Sequence, residues 1–146
     1  MTCTFFGHRS SPNEIEPALR STLFDLIENH QVTLFYVGNH GSFDAMVRRI
    51  LHELSTQYPI TYYVVLAYMP IKKDENSQTE AFDTILPEGI ETVPKRAAIM
   101  YRNRWMIRQS DYVVTYVTNH IGSGAAQFKA LAEKWDKMVI ELRESL

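Results

Sequence analysis

An apolar run at residues 33–37 gives way to Gly38-Asn39-His40-Gly41-Ser42 and then to Phe43, Val47, Ile50, Leu51 and Leu54 at helical spacing. Strand, glycine-bearing turn and amphipathic helix in direct succession constrain the chain to an α/β unit, in which the helix carries the backbone across to a parallel neighbour strand. Such a turn brings bare backbone close to a ligand and aims the first free N–H groups of the helix at it, which suits phosphate. Gly38 and Gly41 admit backbone angles or close approaches that a Cβ would block. The same glycines also suffice simply to shape a turn, and G-x-x-G-x-x-D alone does not choose between the two readings.

The pattern recurs along the chain. Residues 3–6 form a short β-prone run ended by Gly7, and after Pro12 the spacing of Ile15, Leu19, Leu23, Leu26 and Ile27 predicts a helix over about 14–29. Beyond Pro59, the unbroken aromatic and β-branched run 61–67 fits a strand covered on both faces. A helix over 95–109, a strand over 112–117, the turn 118–124, a helix carrying Ala125, Phe128, Leu131, Ala132 and Trp135, and a short strand at 138–142 complete the order.

Strands alternating with helices of this length imply right-handed crossovers. The expected fold is a three-layer α/β domain with a mostly parallel sheet of about five strands and helices on both faces. Ligands in such folds bind beyond the carboxyl ends of the strands. That rule gathers Gly7-His8-Arg9, the segment from Gly38 to Asp44, and Gly122-Ser123-Gly124 at one edge, so one pocket built from three loops is expected.

With 146 residues, 45% of them hydrophobic, the sequence fits a single domain over 1–146. Between residues 68 and 94 the periodicity fails: 72–80 is polar and prolines stand at 70, 87 and 94. A connection this long is read as a lid over a ligand or as disorder. The formal net charge of −2 gives no electrostatic footprint for general nucleic-acid binding. No apolar run approaches the roughly 20 residues that span a bilayer, and no signal peptide is recognisable, so a cytoplasmic protein is expected. Cys3 is the single cysteine and is expected to be a buried thiol, while His8, His30, His40, His52 and His120 show no metal-ligand spacing. No metal and no required cofactor are therefore expected. A homodimer is compatible with the sequence.

The polar residues of the three loops each carry two readings. Arg9, next to the glycine that ends the first strand, is placed to pair with a phosphate or, as a surface arginine, with a carboxylate. His8 is suited to a ribose or base, or to capping its loop. Asp44 opens the second helix, where the helix dipole stabilises a carboxylate without any ligand and where a ribose hydroxyl is also within its chemistry. Gly122, Ser123 and Gly124 read as a phosphate cradle or as a plain serine N-cap. Tyr68 stands where the third strand ends and is suited to stacking on a base. Trp105, Met106, Ile107 and Trp135 are assigned to the core.

The segments T-F-F-G-H-R, F-Y-V-G-N-H-G-S-F-D, L-P-E-G-I-E, Y-R-N-R-W-M-I-R-Q-S-D-Y-V-V and G-S-G-A occur in this order across nearly the whole chain. In order and spacing they resemble the SLOG superfamily, Rossmann-like nucleotide-binding domains that include the lonely-guy phosphoribohydrolases, the DprA Rossmann domain and the YpsA-like proteins. The likeness is greatest to small single-domain members. The resemblance implies a Rossmann-like fold and a pocket for a nucleotide or nucleotide derivative of the ADP-ribose or NAD type. It also implies that Arg102 and Asn103 are pocket residues, with Arg96, Arg104 and Arg108 on the surface. In some relatives an N-glycosidic bond is cleaved.

The lonely-guy pattern P-G-G-x-G-T-x-x-E, laid on this chain, places Gly122 and Gly124 on glycines but Ala125 on the threonine and Phe128 on the glutamate. The neighbouring Gln127 cannot ionise, so it replaces neither a general base nor an anionic stabiliser of an oxocarbenium charge. Binding as a sensor or sequestering domain is therefore the leading expectation. One alternative is an N-glycosidase or nucleotide hydrolase that uses Asp83 or Glu88 from the lid. The other is a protein-interaction module with a vestigial pocket.

Overall fold

The computed structural model describes residues 1–68, 83–117 and 124–143. Six strands and four α-helices follow in the order β1 (Thr2–Gly7), α1 (Glu16–Asn29), β2 (Leu34–Val37), α2 (Gly41–Ser55), β3 (Thr61–Val65), β4 (Thr84–Ile85), α3 (Lys95–Gln109), β5 (Tyr112–Tyr116), α4 (Gly124–Lys134) and β6 (Met138–Glu141). Short 3-10 turns at Asn13–Ile15 and Ile90–Thr92 lead into α1 and precede α3.

All six strands are parallel, in the order β4-β3-β2-β1-β5-β6. The expected α/β class with helices on both faces is what forms; the sheet has six strands rather than five. The added strand, β4, lies within the connection read as a lid. It is two residues long, too short to show a period, and it forms because Val64 and Leu66 donate their N–H groups to Asp83 and Ile85. Residues 69–82, including the polar stretch of that connection, lie outside the described residues, as do 118–123 with Gly122 and Ser123.

Alternation along the strands sorts the core onto two faces. Cys3, Phe5, Phe35, Val37, Val64, Val114 and Tyr116 pack against α1 and α2. Phe6, Val65 and Val113 face α3 and α4 with Met106, Ile107 and Ala132. Trp105, Phe128 and Trp135 flank this second cluster half-buried.

The chain steps outward from β1 through β2 and β3 to β4. Helix α3 then takes it back across the sheet to β5, on the other side of β1. The direction of winding thus reverses at β1, between β2 and β5, and at such a switch point the loops on either side part and leave a crevice. Among the described residues no helix is long and apolar enough to cross a membrane.

Candidate functional site

A cavity of about 340 Å³ occupies that crevice at the carboxyl ends of β1 and β2. The structure brings together there Gly7, His8, Arg9, Gly38, Asp44, Arg102, Asn103 and Gly124 from the expected set. His40, Phe6, Ile99, Met106, Ala125 and Phe128 join them.

Two glycines explain how the loops close on each other. Gly41 has φ +86°, and a Cβ on it would stand 2.6 Å from Arg9 Cα, so this residue must be glycine on both counts. The close approach lets Ser42 donate from its N–H (2.7 Å) and its hydroxyl (2.8 Å) to the Arg9 carbonyl. The Ser11 N–H returns a bond to Ser42 Oγ (2.7 Å). The β1 and β2 loops are thereby joined. At Gly7 the missing Cβ is used differently: its place lies 2.3 Å from the Phe43 ring, which stacks on Tyr116. Gly7 is thus a packing glycine that borders the cavity.

Arg102 organises the polar wall. It projects from α3, is only 3% exposed, and ties that helix to the ends of β2 and β3. Its Nε donates to Asn103 Oδ1 (3.0 Å), and its two Nη1 hydrogens are shared among Asn39 Oδ1 (2.9 Å), the ring of His40 (Nδ1, 3.2 Å) and the Val65 carbonyl (3.4 Å). No hydrogen bond among the described residues uses Nη2. No described buried side-chain nitrogen or oxygen is left unsatisfied, so Nη2 is not sealed in protein; it opens to the cavity that Arg102 lines.

Asp44 lies opposite, 9% exposed. As the fourth residue of α2 it reaches back to the N-cap, where its Oδ2 accepts the His40 N–H (3.0 Å). Both expected roles therefore meet in one carboxylate: one oxygen organises the helix start, and the other has no hydrogen-bond partner among the described residues. A Cβ on Gly38 would come 2.7 Å from Asp44 Oδ2 and 3.5 Å from Arg102 Nη2. Gly38 thus keeps open a gap between the two charged groups, which make no ion pair with each other.

This spacing governs the electrostatics. Burial raises the pKa of Asp44, and the His40 N–H, Arg102 and Arg48 only partly offset it. Burial also lowers the pKa of His40, and the guanidinium groups of Arg102, Arg9 and Arg48 lower it further. Arg102 is pushed down by burial against the pull of Asp44 and Tyr68, yet an arginine remains charged at any ordinary pH. Arg48 adds a bond from Nη1 to the Gly38 carbonyl (3.2 Å), so a second cation braces the same turn.

The opposite wall is apolar. Phe6 of β1 and Phe128 of α4 stack at 5.3 Å between centroids, with Ile99, Met106 and Ala125 beside them. On α3 the residues Ile99, Arg102, Asn103 and Met106 stand at i, i+3, i+4 and i+7, so one helical stripe supplies both walls. Arg96, Arg104 and Arg108 are exposed and do not line the cavity.

Several expected residues lie elsewhere. Asp83 precedes the edge strand and Glu88 sits in the loop after it; both are exposed, and neither lines the cavity. Tyr68 is 42% exposed and carries the Lys95 ammonium over its ring at 5.1 Å, outside the cavity. Asn39 reaches the site only through its bond to Arg102. Arg9 is exposed at the cavity mouth, and His8 sets its ring edge-on to Tyr116. Among the described residues no group of three or more His, Cys, Asp or Glu is placed to hold a metal. His40, Phe6 and Phe128 were not singled out as site residues from the sequence; the periodic stripe on α3 was the available signal for Ile99 and Met106.

No protein-family model matches the sequence, and no curated protein matches it.

Proposed function

We propose that the domain binds a nucleotide or nucleotide derivative, of the ADP-ribose or NAD class, and acts as a sensor or sequestering protein rather than as a phosphoribohydrolase. The observation that carries this reading is the buried Arg102, held by four bonds yet with Nη2 open to a cavity at the switch point of a parallel sheet. Holding a buried cation is costly, and its free donors are satisfied when an anionic or strongly accepting group enters. The apolar wall of Phe6, Phe128 and Met106 offers a surface for a base, and the cavity falls in the roughly 300–1,000 Å³ range of small-molecule sites.

Phe128 stands where a lonely-guy enzyme has its glutamate, and it is committed to the stack with Phe6. The hydrolase reading placed the missing carboxylate on Asp83 or Glu88, and their position outside the cavity gives it no support. The test is to incubate the purified protein with AMP, ADP-ribose, NAD and cyclic nucleotides, ultrafilter it, and quantify bound and free species by mass spectrometry. Retention of one unchanged species near one per chain, lost in Arg102→Met, is the expected result. Time-dependent release of a base or ribose phosphate refutes the sensor reading, and retention of none refutes nucleotide binding.

A further inference from the structure

We propose that the polar end of the cavity seats a phosphate monoester as its monoanion, with the P–OH donated to Asp44 and the remaining phosphoryl oxygens accepting from Arg102, His40 and Asn103. This rests on the nucleotide reading of the cavity and narrows it to a nucleotide with a terminal phosphate, such as a nucleoside monophosphate, since ADP-ribose and NAD carry a pyrophosphate and no phosphate monoester; it also assigns which end of the ligand lies deepest.

The assignment follows from counting donors and acceptors. Nη1 of Arg102 carries only hydrogens, so its 3.2 Å contact with His40 Nδ1 requires a lone pair on that nitrogen. Read as a hydrogen bond, this contact assigns His40 the neutral tautomer with its hydrogen on Nε2, which makes no hydrogen bond among the described residues. The surrounding guanidinium groups of Arg9, Arg48 and Arg102 act in the same direction by disfavouring a second proton. Asn103 spends Oδ1 on Arg102 Nε, which leaves its Nδ2 hydrogens to donate. Nη2 of Arg102 adds two more N–H groups. Three side chains of the polar wall thus offer only donors.

Against them stands a single acceptor. Asp44 has spent Oδ2 on the His40 N–H, and Oδ1 is left over. Among the described residues it is the one carboxylate that lines the cavity, and the gap above Gly38 separates it from Arg102. An oxyanion without hydrogen would satisfy the donors while setting its charge against Asp44. A neutral hydroxyl would satisfy Asp44 and leave most donors unused. A phosphate monoester meets both demands in one group, because its second pKa lies near 6 and the singly protonated form is available close to neutrality. Sulfate, equal in size and shape, has no such proton, so the site should discriminate against it by repulsion.

Isothermal titration at about pH 6.5 with inorganic phosphate, sulfate, AMP and adenosine tests this on the wild-type protein and on Asp44→Asn. Asparagine keeps an oxygen for the His40 N–H and turns an NH2 toward the cavity. The expected results are AMP binding at least about tenfold tighter than adenosine, phosphate binding at least about tenfold tighter than sulfate, and a gap between the two ions that closes in Asp44→Asn. Equal affinity for phosphate and sulfate in the wild type overturns the role of Asp44 and leaves nucleotide binding standing. Equal affinity for AMP and adenosine overturns the phosphate seat while a nucleoside site survives. Selective phosphate binding without any nucleotide binding supports the seat and removes the nucleotide reading. If Asp44→Asn does not fold, the phosphate and sulfate pair on the wild-type protein decides alone.

Discussion

Replacing Arg102 by methionine removes a guanidinium and keeps an unbranched chain of similar length, so it isolates what the cation does. Four acceptors lose a donor. Asn39 is exposed and His40 half-exposed, so both recover a partner from water at little cost. Asn103 Oδ1 and the Val65 carbonyl are buried, and stranding a buried acceptor costs about 1–3 kcal/mol. The 3.4 Å bond to Val65 is long and belongs at the lower end of that range. The variant also relieves the burial of a charge, which offsets part of the loss. The net destabilisation expected is about 2–3 kcal/mol, which for a domain of this size lowers Tm by roughly 5–12 °C. Urea and thermal unfolding at neutral pH measure it. A second readout separates the organising role from simple packing: His40 loses a cation and gains a free Nδ1, so its pKa, followed by proton NMR of the ring, rises toward the ordinary histidine value. Less than about 1 kcal/mol of destabilisation with an unmoved His40 would refute the account of Arg102 as the residue that fastens α3 to the β2 loop.

Gly41→Ala puts a Cβ at φ +86° and 2.6 Å from Arg9 Cα, and is expected to destabilise by at least about 2 kcal/mol, whereas Gly124→Ala meets nothing within 4 Å and should stay within about 0.5 kcal/mol; equal urea midpoints for the two variants would contradict the joined-loop geometry. Asp44 titrates above its ordinary value because it is buried, so its charge opposes folding at neutral pH and ceases to do so once pH falls below the unfolded value near 3.8. Asp44→Asn is therefore expected to be more stable than the wild type at pH 7, with the difference shrinking on acidification; a difference that grows on acidification has the wrong sign. Cys3 is fully buried and its thiol is pushed far up by burial, so a disulfide reagent should label it only in denaturant, and rapid labelling of the native protein would place it elsewhere.

The elements legible in the sequence are those whose burial is periodic. Leu19, Leu23 and Leu26 mark α1, and Phe43, Val47, Ile50, Leu51 and Leu54 mark α2, because each helix lays one face on the sheet. Strand β4 leaves no mark in the sequence because two residues have no period, and its existence depends on β3 being present to pair with. Along α3 the stripe that faces inward is interrupted by Arg102 and Asn103, so the helix shows no clean apolar face although both residues are buried. Those two were reached from the sequence only by resemblance. A polar pair inside an otherwise apolar i, i+3, i+4, i+7 series was the physical signal for them. His40 was legible only as part of the 38–44 turn, with nothing to mark its side chain, whereas Phe6 and Phe128 meet across the cavity only once the chain has returned across the sheet.

The glycines changed meaning most between sequence and structure, and the change bears on how the proposed site would recognise a ligand. A backbone cradle requires that the space left by a missing Cβ be available to the ligand. At Gly7 that space is filled by the Phe43 ring, at Gly38 it is bordered by the Asp44 carboxylate, and at Gly41 it is taken by the Arg9 backbone. These three residues act at one remove: they let side chains and loops approach so closely that Arg102, His40, Asn103 and Asp44 converge on one cavity. A backbone cradle tolerates most side-chain substitutions, because its donors are common to all residues. A wall in which the Arg102 side chain sets the roles of the Asn103 and His40 side chains, with Asp44 held by the His40 main-chain N–H, does not. Single conservative changes at these positions should therefore alter which group is bound before they abolish binding, and the closing of the gap between phosphate and sulfate expected in Asp44→Asn is the sharpest case of that consequence.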